Sequence, residues 1–278
     1  MLSYRHAFHA GNHADVLKHW MFSLVLDYFN QKDKPYWVVD THAGAGLYRL
    51  DSSVANKTAE YVDGILRLQQ SQAPEPFQIY LEAVAAANKD QQMLYPGSPW
   101  LASHLINPVD KLRLFELHPA DAALLEQQFA SQKRQIAIQQ KDGFEGIKAC
   151  LPPPTKRGIV LIDPPYEVKD DYARVVDCIK DSLKRFATGT YLIWYPRLQR
   201  PEPQQMIDKL RRLDTDFLHV TLDVEQPSAD GFGMYGSGMW VINPPWTLRQ
   251  SVEPHLQWLA QVLAQDAGAQ ASCEGKQR

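Results

Sequence analysis

A chain of 278 residues, 45% apolar and 22% charged, has room for one large core and the balance of an ordinary globular protein. Its three cysteines, Cys150, Cys178 and Cys273, form no C-x-x-C pair, which argues against a disulfide framework or zinc ribbon and fits a reducing cytoplasm. A net charge of -3 excludes a broad basic coat for nucleic acid, no run approaches the roughly 20 apolar residues of a membrane span, and the opening Met-Leu-Ser-Tyr-Arg-His lacks the order of a secretory signal.

Asn12 is placed to cap a helix predicted over residues 14–29, whose apolar positions include Val16, Trp20, Leu24 and Leu26. The run PYWVVD, residues 35–40, is aromatic and β-branched and reads as a buried strand ending in the turn Thr41-His42-Ala43-Gly44-Ala45-Gly46. Residues 51 to about 95 carry helical spacing and no convincing strand, so a helical insertion is expected there. Strands follow at 111–116, 134–139 and 158–163, then a helix at 172–186, a strand at 190–195 and a helix near 203–213. Two further strands, 217–224 and 237–242, precede a last helix predicted from about Trp246 to Leu263. The stretch from about Gln265 is small and polar and is expected to fray, leaving one domain over residues 1–264 and a flexible tail over 265–278. Strands alternating with helices imply an α/β fold with a mostly parallel sheet covered on both faces. The loop at about 225–236 implies one antiparallel closing strand, the shape of a Rossmann-like methyltransferase.

Ligands of such a sheet sit beyond the carboxyl ends of its strands, where Gly44 and Gly46 let the backbone approach closely and Asp40 can accept from an ammonium or amide. A tight strand-to-helix turn accounts for the same glycines equally well. Glu116, at the next strand end, can hold both ribose hydroxyls of a nucleoside cofactor, since a carboxylate accepts two hydrogen bonds. It lies 70 residues after Gly46 rather than about 20, which again requires an insertion. Asp142-Gly143 follows the third strand; the aspartate can accept from an adenine amine, though Asp-Gly is also a common turn.

The sharpest motif is Asp163-Pro164-Pro165-Tyr166, directly after the apolar run GIVLI. An exocyclic amine on a nucleobase is a poor nucleophile because its lone pair is delocalised into the ring. The Asp163 carboxylate and the Pro164 carbonyl can each accept one amino hydrogen, the prolines fixing the torsions so that both converge, and Tyr166 offers a face for the base. Asn243-Pro244-Pro245-Trp246 fits the same pattern, but an antiparallel strand would carry it to the opposite sheet edge, where Asn243 would cap the last helix. His6, His9 and His13 are close enough in sequence to suggest a metal site, yet no carboxylate or cysteine joins them and methyl transfer needs no metal. An RNA-contacting arm suits that segment better, with bases on Tyr4 or Phe8 and Arg5 on phosphate. Lys184, Arg185, Arg197 and Arg200 are expected to form a local basic patch.

Taken in order, MLSYRHAFHAGNHADVLKH, DTHAGAG, YPGSP, ELHP, DG and LIDPPYE resemble segments of the 23S ribosomal RNA adenine-N6 methyltransferase J family, over almost the whole chain before Leu263. The resemblance implies a Rossmann-like class I methyltransferase with an inserted helical subdomain, using S-adenosyl-L-methionine on an adenosine of 23S ribosomal RNA in the cytoplasm, with no metal and no membrane. It further implies cofactor contacts from Lys18, His19, His42, Ser98, Glu116, Asp142 and Gly143, to which the reading of the residues adds Gly44, Gly46 and Asp163, with catalysis by Asp163 and contact of Tyr4 with the target adenosine. His42 departs from the phenylalanine often found at its position and can donate to the methionine carboxylate of the cofactor. From the residues alone, DNA adenine and protein glutamine remain alternative acceptors, and a cofactor-free RNA-binding scaffold a third reading.

Overall fold

The computed structural model describes residues 6–89 and 93–276. Its strands are β1 (Trp37–Asp40), β2 (Leu47–Arg49), β3 (Leu94–Pro96), β4 (Lys111–Phe115), β5 (Ile136–Gln139), β6 (Gly158–Ile162), β7 (Thr190–Leu198), β8 (Phe217–Asp223), β9 (Met234–Ile242) and β10 (Gln270–Lys276). Eight of them form one sheet in the order β10-β8-β9-β7-β6-β1-β4-β5. All five residues of β6 are buried, as a strand covered by helices on both faces requires. Strands β5, β4, β1, β6 and β7 pair in parallel, while β9 runs against both β7 and β8. This is the Rossmann-like methyltransferase sheet, and β9 is the reversed strand expected from the loop before it. Chain order reverses at β1, which lies between β4 and β6, and that switch point opens a crevice at the carboxyl ends.

Helix α1 (His13–Asn30) is capped by the Asn12 side chain, which accepts from the Asp15 N–H at 3.0 Å. It packs on the sheet and against helices Gln78–Ala87 and Ser98–Leu105, so it is buried nearly all round. Its apolar positions Leu17, Trp20, Met21 and Val25 fill the core. The buried Asp15, Lys18 and His19, three and four positions apart, share one face. Residues 55–87 form short helical pieces, and the three-residue ladder of β2 against β3, Leu47 opposite Pro96, brackets them.

Two expectations fail here. The last helix is broken into Leu248–Val252, a 3-10 turn at Glu253–His255 and Leu256–Val262, because Pro254 has no N–H for an unbroken helical ladder. The tail does not fray: β10 pairs antiparallel with β8 from Gln270 opposite Asp223 to Lys276 opposite Phe217. Left bare, β8 would present a row of unpaired backbone groups, and β10 covers it. Side chains fix the register, Thr221 to Ser272 at 2.7 Å and His219 Nδ1 to Glu274 Oε1 at 2.8 Å. No described helix is long and apolar enough to cross a membrane.

Candidate active site

The turns after β1, β4, β5 and β6 converge with α1 on a cavity of about 210 Å³. Asp40, 1% exposed at the end of β1, accepts from the Ser98 hydroxyl at 2.6 Å and from the His42 N–H at 3.2 Å. Burial pushes its carboxyl up to about 6, partly offset by those two donors. His42 follows, its Nδ1 2.8 Å from the Thr41 hydroxyl and its ring edge-on to Phe144; burial lowers it to about 3, so the ring is neutral. At Gly44 φ is +64°, and a Cβ would lie 2.1 Å from the Tyr48 hydroxyl. That conformation aims the Gly44 N–H at Glu116 Oε2, 2.7 Å away, while Glu116 Oε1 accepts from the His118 N–H at 2.6 Å. Burial raises Glu116, against the pull of these two N–H groups.

After β5, Asp142 caps the turn through the Phe144 N–H at 2.9 Å and turns its other oxygen to Arg174 at 2.5 Å. Arg174 lies 4.4 Å over the Phe144 ring. A Cβ on Gly143 would come within 1.9 Å of the Thr41 carbonyl, so the turns after β1 and β5 can touch only because that residue is glycine.

Asp163 leaves β6 into the cavity, and its Oδ2 accepts from Lys18 Nζ of α1 at 2.5 Å. Lys18 also reaches Asp15 Oδ1 at 2.9 Å. Burial alone would strip its proton, but the Asp15 and Asp163 carboxylates outweigh burial and raise it above the usual lysine value. Asp15, buried yet held well below its ordinary value by His6, Lys18 and His19, accepts from His6 at 2.9 Å as well. His19 lines the cavity, its Nδ1 2.7 Å from the Tyr95 hydroxyl, and burial keeps it neutral.

Thus Lys18, His19, His42, Gly44, Ser98, Glu116, Asp142, Gly143 and Asp163 share one cavity. Other candidates are placed differently. Gly46 (φ +83°) does not line it; its carbonyl accepts from the Gly97 N–H at 2.8 Å and so sets the start of the helix that carries Ser98. Pro165 lines the cavity, and Pro164 is buried behind it. Tyr166 presents no face for a base: its left-handed backbone, φ +51°, accompanies a ring 5% exposed, packed on Tyr172 and donating to the Trp194 carbonyl at 2.7 Å. Tyr4 and Arg5 lie outside the described residues.

The basic patch is not assembled. Arg197 grips Asp223 at 2.5 and 3.2 Å, and Lys184 and Arg185 end the helix Asp170–Arg185. That helix starts beside the cavity and returns to the opposite sheet edge, which parts Lys184 and Arg185 from Arg197 and Arg200, at the carboxyl end of β7 on the cavity side. Asn243 does lie at that opposite edge, but it caps no helix. Its amide donates to the Ala187 and Gly189 carbonyls at 2.8 Å each, closing the turn into β7. His6 and His9 pair with different carboxylates, Asp15 and Glu60, and no metal-binding group of three appears among the described residues. Sequence reasoning missed Asp15, Tyr48, Leu117, His118 and Arg174; only Asp15, an acid three positions before Lys18 in an apolar helix, had left a signal.

Three comparisons bear on this site. The family model described as RsmJ, "Ribosomal RNA large subunit methyltransferase D, RlmJ", matches residues 33–273. The protein named "Ribosomal RNA large subunit methyltransferase J" from Escherichia coli strain K12 is 48% identical over 262 residues, 93% of each chain, and its namesake from Haemophilus influenzae is 44% identical over 95% of this chain and 94% of that one. The crystal structure of protein LPL1258 from Legionella pneumophila superposes with a TM-score of 0.86 at 32% identity, covering 96% of this chain and 98% of that one.

Proposed function

The chain belongs to the ribosomal RNA large subunit methyltransferase J family, and we propose that it methylates the N6 amine of an adenosine in 23S ribosomal RNA with S-adenosyl-L-methionine. The cavity fits that cofactor. Glu116 and Asp142, carboxylates at strand ends, line it and suit a ribose diol and an adenine amine, while buried Asp40 holds two of the lining residues, Ser98 and His42, and sets a negative charge behind them that suits an ammonium. The wall also holds His118 Nδ1, buried and without a hydrogen-bond partner, as expected where a polar ligand completes the set. Bound there, S-adenosyl-L-methionine supplies a methyl group activated by a sulfonium.

The protein's task is then to present the amine. Lys18 occupies Asp163 Oδ2, and Oδ1 takes no hydrogen bond from the described residues, so it is left for one amino hydrogen of the base. The Pro164 carbonyl serves as the second acceptor. Together they localise the nitrogen lone pair, and fixing the amine against the methyl group supplies much of the remaining rate. A carboxylate tied to a buried cation is a poor general base and a good orienting acceptor. That suits an amine that attacks before it loses its proton.

The observation that carries this reading is that Asp163 opens into the same cavity as the glycine turn and Glu116, anchored by Lys18 from a helix 145 positions earlier. Purified protein is expected to transfer labelled methyl groups to unmodified 23S ribosomal RNA, with DNA and a peptide glutamine as comparison acceptors. Asp163→Ala should stop transfer while still binding S-adenosylhomocysteine; undiminished transfer by that variant would overturn the assignment.

A further inference from the structure

The loop joining β8 to β9 has no part in the cavity, yet topology places it on the cavity's side of the sheet. Ile193 of β7 is level with Ile162 of β6, and β7 continues to Leu198, which lies opposite Met234 at the start of β9. The four steps from Trp194 to Leu198 therefore rise beyond Asp163 by roughly 13 Å. At about 4.8 Å per strand, the β8–β9 loop stands roughly 10–15 Å to the side of the tetrapeptide. Asp223 of β8 lies opposite Gly236, so both arms end at this raised edge.

The loop tip is built to display one ring. Phe232 is 73% exposed, more than any other large apolar side chain among the described residues. It stands between Gly231 (φ +79°) and Gly233 (φ +93°), around whose Cβ positions nothing lies within 4 Å. The tip is nevertheless fastened. Asp230 accepts from the Ser228 hydroxyl at 2.7 Å and the Phe232 N–H at 2.9 Å, and the Gly231 N–H donates to the Ser228 carbonyl at 3.0 Å. The Gln199 side chain donates to the same carbonyl. At the root, Asp266 accepts from the Gln226 N–H at 3.0 Å. A slack loop would fold the ring onto the surface; this one holds it away.

We propose that this loop is an RNA-binding prong, Phe232 stacking on an unpaired base a few nucleotides from the target while Arg200, next to Gln199, meets a neighbouring phosphate. The inference rests on the reading above that the substrate is RNA. Residues 226–230 around the ring are polar or small and exposed, so the loop itself offers nothing near the roughly 800 Å² of surface that a protein partner would need. A single displayed ring instead matches a nucleobase, whose face stacks regardless of sequence.

The test is fluorescence anisotropy with a labelled RNA hairpin carrying an unpaired adenosine, using protein saturated with S-adenosylhomocysteine. Phe232→Ala should weaken binding by about five- to a hundredfold, and Phe232→Trp should retain it. Arg200→Ala should lower the salt dependence of log affinity by about one unit of slope. Melting temperature and S-adenosylhomocysteine affinity should be the same in all three. RNA affinity of Phe232→Ala within twofold of the unaltered protein would overturn the prong. So would conversion of a dimer to a monomer by Phe232→Ala with RNA affinity unchanged, which would make the ring a contact between copies. If the unaltered protein fails to bind the RNA at all, the RNA reading falls with it.

Discussion

Replacing Ser98 by alanine removes the hydroxyl that donates to buried Asp40 at 2.6 Å and should move the pH at which the cofactor binds. Asp40 titrates near 6 in the free protein because burial penalises its charge more than Ser98 and the His42 N–H favour it. In the proposed complex its negative charge, just behind the lining Ser98 and His42, attracts the cofactor's ammonium, which only the ionised form does well. Affinity should therefore rise through pH 6 and level off above it, falling by about tenfold from pH 7 to pH 5, since each unit below the midpoint costs at most a factor of ten. A hydrogen bond to a charged group contributes about 1.5–3 kcal/mol, so losing Ser98 should raise the midpoint by one to two units. At pH 6 the variant should bind at least about fivefold more weakly than the unaltered protein, and near pH 9 the two should converge. His42, lowered to about 3, stays neutral throughout, and Glu116 does not touch Ser98, so the displacement identifies Asp40 as the titrating group. Stability moves in the opposite direction. The folded state holds this proton more tightly than an unfolded carboxyl at 3.8, so a contribution of up to about 3 kcal/mol is present in acid and lost as pH rises through 6. Calorimetric titration with S-adenosylhomocysteine from pH 5 to 9 measures the effect. A flat affinity in the unaltered protein, or an unmoved midpoint in Ser98→Ala, would refute the reasoning.

Gly143→Ala would drive a Cβ to 1.9 Å from the Thr41 carbonyl and should cost about 1–3 kcal/mol or more while weakening S-adenosylhomocysteine binding; Gly231→Ala, with open space around it, should cost about 1 kcal/mol and leave that affinity alone. Denaturant unfolding and calorimetry of the two variants check the contrast, which fails if they lose stability and affinity equally. Ending the chain at residue 264 removes β10 and bares the edge of β8, so the truncated protein should melt several degrees lower and self-associate on gel filtration, where a frayed tail would have left both unchanged.

What could be read from the sequence is what is local along it. The strand WVVD with its glycine turn, and GIVLI followed by Asp-Pro-Pro-Tyr, each carry their burial pattern and their chemistry within ten residues. Tyr166 was misplaced because its residue type says aromatic platform, while only the left-handed backbone after two prolines turns the ring inward. The tail was misplaced because pairing with a bare edge strand depends on β8, not on the tail's own composition. The electrostatics of the cavity were illegible for a deeper reason: its strand-end carboxylates Asp40, Glu116 and Asp163 each meet a partner from a distant segment. Ser98 meets Asp40 across 58 positions, Gly44 meets Glu116 across 72, and Lys18 meets Asp163 across 145. The first of these crosses the inserted segment, whose ends β2 and β3 close beside Gly46 and Gly97. Loosening the insertion should therefore free Ser98 from Asp40 while β1, β4 and β6 stay paired. The insertion contributes the donor that sets the charge on a strand-end carboxylate, and its bearing on catalysis runs through Asp40.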